Sequence, residues 1–133
     1  MTYVLDTNII SALLRGNANI KQRIESITIT GHKIVINAIC YYEVKRGLLD
    51  ANATTQIKYF DKFCETFGLT LLDRKQIFEE ASYLYANLKK QGKLINDADI
   101  LIASSTKIDK CILVTNDSDF QRVVGLKVEN WLD

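Results

Sequence analysis

Six acids stand where a short apolar run gives way to a helical pattern, or just beyond such a run. Asp6 closes the β-prone run Tyr3-Val4-Leu5, and Glu43 lies in the second turn of the helical pattern that follows the run 33–36. Asp97 and Asp99 open "NDADILIASS", while Asp117 and Asp119 follow "CILVTN". If these positions share one place in the fold, the chemistry follows from charge. Carboxylates gathered within a few ångströms cannot all ionise comfortably, so protons or a cation must neutralise them. An all-oxygen, carboxylate-rich donor set suits Mg²⁺ or Mn²⁺, and Mg²⁺ held this way keeps waters and meets phosphate substrates. The reaction indicated is metal-assisted hydrolysis of a phosphodiester. The chain has one histidine, His32. A His-based metal site or a Ser-His-Asp triad would have to be built around it alone, which favours oxygen ligands.

The elements that would bring the acids together can be read from periodicity. Residues 3–5 form a short buried strand, and Ile9, Ile10, Leu13 and Leu14 mark the inward face of the next helix. A second helix covers 17–27 and a strand 33–36. Asn37 is placed to cap a helix that runs through Glu43 with Gly47 inside it. Apolar residues at 57, 60, 63, 64 and 67 have helical spacing. A strand at 69–72, a long helix stopped near Gly92, the helix opened by Asn96, and strands at 111–114 and 126–130 complete the order. Strands separated by helices imply a parallel sheet with right-handed crossovers and helices on both faces. In such a sheet the carboxyl ends of strands and the N-termini of helices share one rim, and every acid named above maps to it.

Each acid also has a purely structural reading. Asp6 or Thr7 can be an N-cap, Asp97 and Asp99 suit the first turn of a helix, and Asp117 and Asp119 suit a turn. Glu43 can be a surface helix residue. Taken together these readings require every rim segment to carry an acid by accident.

The bulk properties bound the answer. The 133 residues suit one domain, 1–133, long enough for a sizeable core, with 47% hydrophobic and 25% charged residues and a formal net charge of +1. There is no repeat, no low-complexity segment and no proline. No apolar run approaches bilayer length, and "MTYVLDTN" lacks the basic and long apolar regions of a signal peptide, so no membrane contact is expected. Cys40, Cys64 and Cys111 are odd in number and embedded in apolar patterns, which reads as reduced core cysteines of a cytoplasmic protein.

Four stretches in order, "YVLDTNII", "NAICYYEVKRG", "INDADILIASS" and "ILVTNDSDF", resemble the PIN-domain ribonucleases, in particular the VapC-like toxins of type II toxin–antitoxin modules. The resemblance runs through the whole chain. It implies a PIN-domain-like α/β/α sandwich around a mainly parallel sheet of four to five strands. It implies a metal-dependent endoribonuclease in which Asp6, Glu43, Asp99 and Asp117 are the catalytic set and hold one or two Mg²⁺ or Mn²⁺ ions. Asp99 stands in the D-x-x-I-A frame with Ile102 and Ala103, which leaves Asp97 as a secondary acid. Asp119 before Phe120 is auxiliary, and Thr7, Asn8 and Thr115 orient carboxylates or bind solvent and phosphate. The resemblance further implies a homodimer, held inactive by a small antitoxin. Asn37 and Cys40 depart from the Ser and Thr of many relatives, which would weaken hydrogen bonding around Glu43.

Substrate contact must come from outside the acids. Setting the four aside leaves an excess of basic side chains, and Arg15, Lys45, Arg46, Lys89, Lys90 and Lys93 lie on segments flanking the rim as candidate RNA phosphate contacts, each equally readable as a solvated helix charge. The aromatic residues at 41, 42, 59, 60, 63, 83 and 85 read as core or dimer packing. Two other functions fit the same residues. One is a non-catalytic RNA- or protein-binding module that keeps the fold. The other is a phosphotransferase with Asp6 as nucleophile, against which Asn8 counts, since such enzymes usually place a second aspartate there.

Overall fold

A computed structural model describes residues 1–132. Strands and helices alternate in the order β1 (Thr2–Leu5), α1 (Thr7–Leu14), α2 (Ala18–Ile29), β2 (Lys33–Asn37), α3 (Ala38–Asp50), α4 (Thr54–Phe67), β3 (Leu69–Thr70), α5 (Lys75–Lys90), α6 (Asp97–Ile108), β4 (Ile112–Val114) and β5 (Lys127–Glu129). A single 3-10 turn, Ser118–Arg122, separates β4 from β5. The five strands make one sheet ordered β3-β2-β1-β4-β5 in which every pairing is parallel.

The apolar character of β1 explains its central place. A strand of a parallel sheet is covered on both faces, so it reads as a continuous apolar run rather than an alternation. Val4 faces Val35 on β2 and Leu113 on β4, and Leu5 pairs with Val114. Both residues are buried. They join Ile9 and Ile10 of α1, Ile36 of β2, Phe60 of α4 and Ile102 of α6 in the core. Removing a large side chain from such a core costs about 2–5 kcal/mol.

The order of strands fixes where a ligand can sit. The chain steps from β1 outward to β2 and β3, then returns to the other side of β1 as β4. The crevice outside the carboxyl ends of β1 and β4 is therefore the point where the winding reverses, which in open parallel sheets is the ligand site. Helix starts converge there because the rim residues are good caps. Asp6 Oδ1 accepts from Thr7 N at 2.8 Å, Asn37 Oδ1 from Ile39 N at 2.8 Å, and Asn96 Oδ1 from Asp99 N at 2.8 Å.

Three details differ from the sequence reading. β3 ends at Thr70 instead of continuing to 72, because its partner β2 ends at Asn37, where α3 begins. The segment after β4 contains a helical turn rather than an open turn, with Asp117 as its cap. Tyr42, Tyr59, Tyr83 and Tyr85 are exposed in the single chain, so only Phe60 and Phe63 of the aromatic group belong to the core, with Tyr41 stacked on Phe60. Gly68 turns the chain from α4 into β3 with φ +84°, a conformation that costs a side-chain-bearing residue energy. The cysteines are free, with Cys40 and Cys111 buried. Among the described residues no helix is long and apolar enough to cross a membrane.

Candidate active site

Asp6 is the residue around which the rim is organised. The last residue of β1 precedes it, and its own amide donates to Val114 O at 2.9 Å, so it continues the sheet by one residue before α1 begins. Only 4% of Asp6 is exposed. Four donors converge on its two oxygens. Thr7 N and the Cys40 thiol (3.7 Å) reach Oδ1, while the Thr115 hydroxyl (2.7 Å) and Asn8 Nδ2 (3.3 Å) reach Oδ2. Burial raises the Asp6 pKa above its ordinary value, and the bonds from Thr115 and Thr7 recover part of that cost.

The other acids reach the same place from separate segments. Glu43, in the second turn of α3, accepts a hydrogen bond from Thr7 Oγ1 at 2.8 Å. Asp99, in the first turn of α6, receives Asn96 Nδ2 at 3.0 Å, so Asn96 serves both the backbone and the carboxylate of the same residue. Asp117 caps the 3-10 turn through Asp119 N at 2.9 Å, and its own amide donates to Thr115 Oγ1 at 3.0 Å. Asp99 reports the convergence. Burial first, then the charges of Asp6, Asp117 and Glu43, push its pKa up to about 6.

No basic side chain is ion-paired with these acids, although the charge of Glu43 reaches the exposed Arg46. Among the described residues the ion pairs are Arg23–Glu129, Lys45–Asp61, Arg74–Asp109, Lys75–Glu79, Lys107–Glu80 and Arg122–Asp119, and none involves the four acids. Among those residues no three acid, histidine or cysteine side chains converge closely enough to ligate one ion. Mg²⁺ does not demand such a cage, since it is usually bound by one or two carboxylates and keeps several waters. The donor set, all carboxylate oxygen and unpaired with any cation, fits a hard divalent ion.

The remaining sequence candidates divide. Thr7, Asn8 and Thr115 hold Asp6 and Glu43, and Asn8 Oδ1 also accepts from Asn116 N at 3.1 Å. The Asp119 carboxyl turns away to Arg122 at 3.4 Å, and only its backbone touches Asp117. Asp97 lies on the exposed start of α6 and lines a cleft against α5 with Phe78 and Tyr85. Lys45 is ion-paired with Asp61, whereas Arg46 lies over the Tyr42 ring and Lys89 over that of Tyr85. Arg15, Lys90 and Lys93 are exposed and have no ion pair among the described residues. Two contributors were missed as such. Cys40 and Asn37 were expected to bear on Glu43, but Cys40 donates to Asp6, and Asn37 ties α3 to α6 through Ser105 Oγ at 2.6 Å. Burial, then the Asp6 charge, raise the Cys40 thiol well above its ordinary pKa, so it stays a donor.

A model of the family described as the PIN domain matches residues 3–126. The chain belongs to the PIN-domain family. One relative is "Ribonuclease VapC2" of Haemophilus influenzae, 32% identical over 99% of both chains. Two solved structures are also similar. One is VapBC2 from Rickettsia felis bound to a DNA fragment from its promoter, with a TM-score of 0.90, 25% identity and coverage of 98% of this chain and 99% of that one. The other is VapBC-1 from nontypeable H. influenzae, with a TM-score of 0.87, 27% identity and full coverage of both chains. As a PIN domain the chain has the parallel α/β sheet that the resemblance implied, and the acid rim lies inside the matched residues.

Proposed function

We propose that this PIN domain is the ribonuclease toxin of a toxin–antitoxin pair, a Mg²⁺- or Mn²⁺-dependent endoribonuclease that hydrolyses RNA phosphodiester bonds at the Asp6, Glu43, Asp99 and Asp117 rim. The relative named as a ribonuclease and the VapBC complexes of the same fold support the activity and an antitoxin partner. Action in the cytoplasm as a homodimer belongs to the same reading. The observation that carries the metal requirement is the set of four acids with no ion pair among the described residues, one of them buried at the end of the central strand.

When bound, one or two divalent ions supply Lewis-acid polarisation of the phosphate and a water of lowered pKa. The chain's own groups prepare for that. Four donors fix Asp6 before substrate arrives, and the Thr7 hydroxyl fixes Glu43. The Asp99 carboxyl, its pKa pushed up to about 6 by burial and by the neighbouring acids, would give up its proton to a cation near neutral pH. Exposed Arg15, Lys90 and Lys93 are available for RNA phosphates. A phosphoryl-accepting role for Asp6 is disfavoured by its burial and by the occupation of both its oxygens.

The test is cleavage of RNA by purified wild type and by Asp99→Asn and Asp117→Asn, with folding checked by circular dichroism. Loss of cleavage in both variants, and loss in wild type on chelation with recovery on adding Mg²⁺ or Mn²⁺, is the expected result. Near-normal cleavage by either variant removes that residue from the set. Cleavage that survives chelation removes the metal. A folded, metal-binding wild type that cuts no RNA returns the domain to a binding role.

A further inference from the structure

A second feature adjoins the acid rim on the β5 side. Thr115 and Asp117 form one wall of a cleft of about 560 Å³ that runs along the 3-10 turn and beneath β5. That volume lies within the roughly 300–1,000 Å³ of pockets that enclose small molecules. Val123, Leu126 and Val128 give it an apolar side, and Asn116, Gln121 and Asn130 give it an amide-bearing edge. No lysine or arginine lines it.

We infer that this cleft is a nucleobase pocket, which receives one unstacked base of single-stranded RNA next to the phosphate being cut. The inference rests on the nuclease reading above and names what that site selects. A backbone phosphate does not belong in a cleft with no cation and with Asp117 at its inner end. A base does, since it is neutral, flat and apolar on its faces and presents hydrogen-bonding edges. Proteins that read RNA by sequence take splayed single-stranded bases and bond to those edges. An amide side chain offers a donor and an acceptor side by side, the pairing that Asn and Gln make with adenine.

The edge residues are prepared for this. Asn116 Oδ1 accepts from Asn130 Nδ2 at 2.9 Å, and Asn130 Oδ1 in turn accepts from Leu132 N at 2.9 Å. Asn116 is thereby held with its own amide nitrogen unbonded to any described residue. Its backbone is tied to Asn8, which bonds Asp6. A base in the cleft is thus registered against the acid rim through two short contacts. The Gln121 side chain is exposed on the 3-10 turn and makes no hydrogen bond among the described residues.

The experiment uses the purified full chain with Mg²⁺ or Mn²⁺ and a randomised single-stranded RNA, with sequencing of the cut ends. Wild type should favour one base at a position flanking the cut by about tenfold. Gln121→Ala should flatten that position to within about twofold. Gln121→Glu, which replaces donor plus acceptor with acceptors alone, should move the preference towards a base presenting a donor, such as cytosine. Ser118→Trp on the exposed rim should block the cleft and abolish the preference without touching the core. A wild-type profile with no preference beside the cut, or one identical in all three variants, overturns the pocket and leaves the nuclease reading standing. If wild type cuts no RNA with either metal, the nuclease reading has failed and the pocket falls with it.

Discussion

Asp6 caps α1 and is also the buried acid of the rim, and the two roles use the same oxygens. The capping contact leaves the acid on the rim, so the structural reading of that residue does not exclude the chemical one. The overlap decides which substitution reports the repulsion cleanly. In Asp6→Asn the new amide group would face Thr7 N, Asn8 Nδ2 and the Thr115 hydroxyl, all donors, so relief of charge is offset by lost acceptor capacity. Asp99 has no such conflict, because Asn96 alone bonds its carboxyl among the described residues. Its folded pKa of about 6 lies above the 3.8 of an aspartate in the unfolded chain. Between those values the folded protein binds more protons than the unfolded one, so metal-free stability rises as pH falls from 7 through 6 towards 4. Asp99→Asn should flatten that dependence and raise metal-free stability at pH 7 by about 1 kcal/mol, a figure discounted for its solvent exposure. Melting curves in chelator at pH 5 and 7 measure both, and an unchanged pH slope in the variant would contradict the raised Asp99 pKa. Cys40→Ser should retain a donor to Asp6, whereas Cys40→Ala should lose it and lower cleavage several-fold with little change in folding. Six acids on one rim were readable from residue type and position, whereas the choice of four among them came from the family resemblance. The Cys40 contact was not, although the helical i, i+3 relation of Cys40 to Glu43 placed both on the rim-facing side of α3.

Helix caps test how local structure serves the site. Asn17 caps α2 through Ile20 N at 3.1 Å with no acid of the rim nearby, while Asn96 caps α6 and also donates to Asp99. Asn17→Ala and Asn96→Ala should each cost about 1 kcal/mol of stability. Only Asn96→Ala should also reduce RNA cleavage when both are assayed well below their melting temperatures. Equal activity in the two variants would confine Asn96 to a structural role. The same contrast explains what was visible beforehand. The apolar spacing in 54–67 defines α4 without help from the rest of the chain. The extent of β3 depends on where β2 stops, and the 3-10 turn is too short to show a period, so neither was set by its own residues.

Four segments from both halves of the chain bring one acid each to the point where the sheet's winding reverses. If a divalent ion binds there, it links to folding of the entire domain. Free Mg²⁺ at 100 times its Kd should stabilise wild type by about 2.7 kcal/mol, which corresponds to roughly 10 °C in Tm. Asp117→Asn should gain much less. Equal shifts in the two proteins at pH 7 would place any bound ion elsewhere.

The position of β4 beside β1 has a further consequence, for the making of the protein. Val4 and Leu5 meet Leu113 and Val114 across more than a hundred residues of intervening chain. Contacts of such long sequence separation form late, because closing the loop costs entropy before the pairing repays it. During synthesis the first strand therefore waits with one flank open, and Asp6 lacks the Thr115 hydroxyl until β4 and the residue after it have been made. A nascent copy on the ribosome, surrounded by RNA, has its acids scattered over unfinished structure. The topology delays completion of the acid rim until β4 has paired with β1.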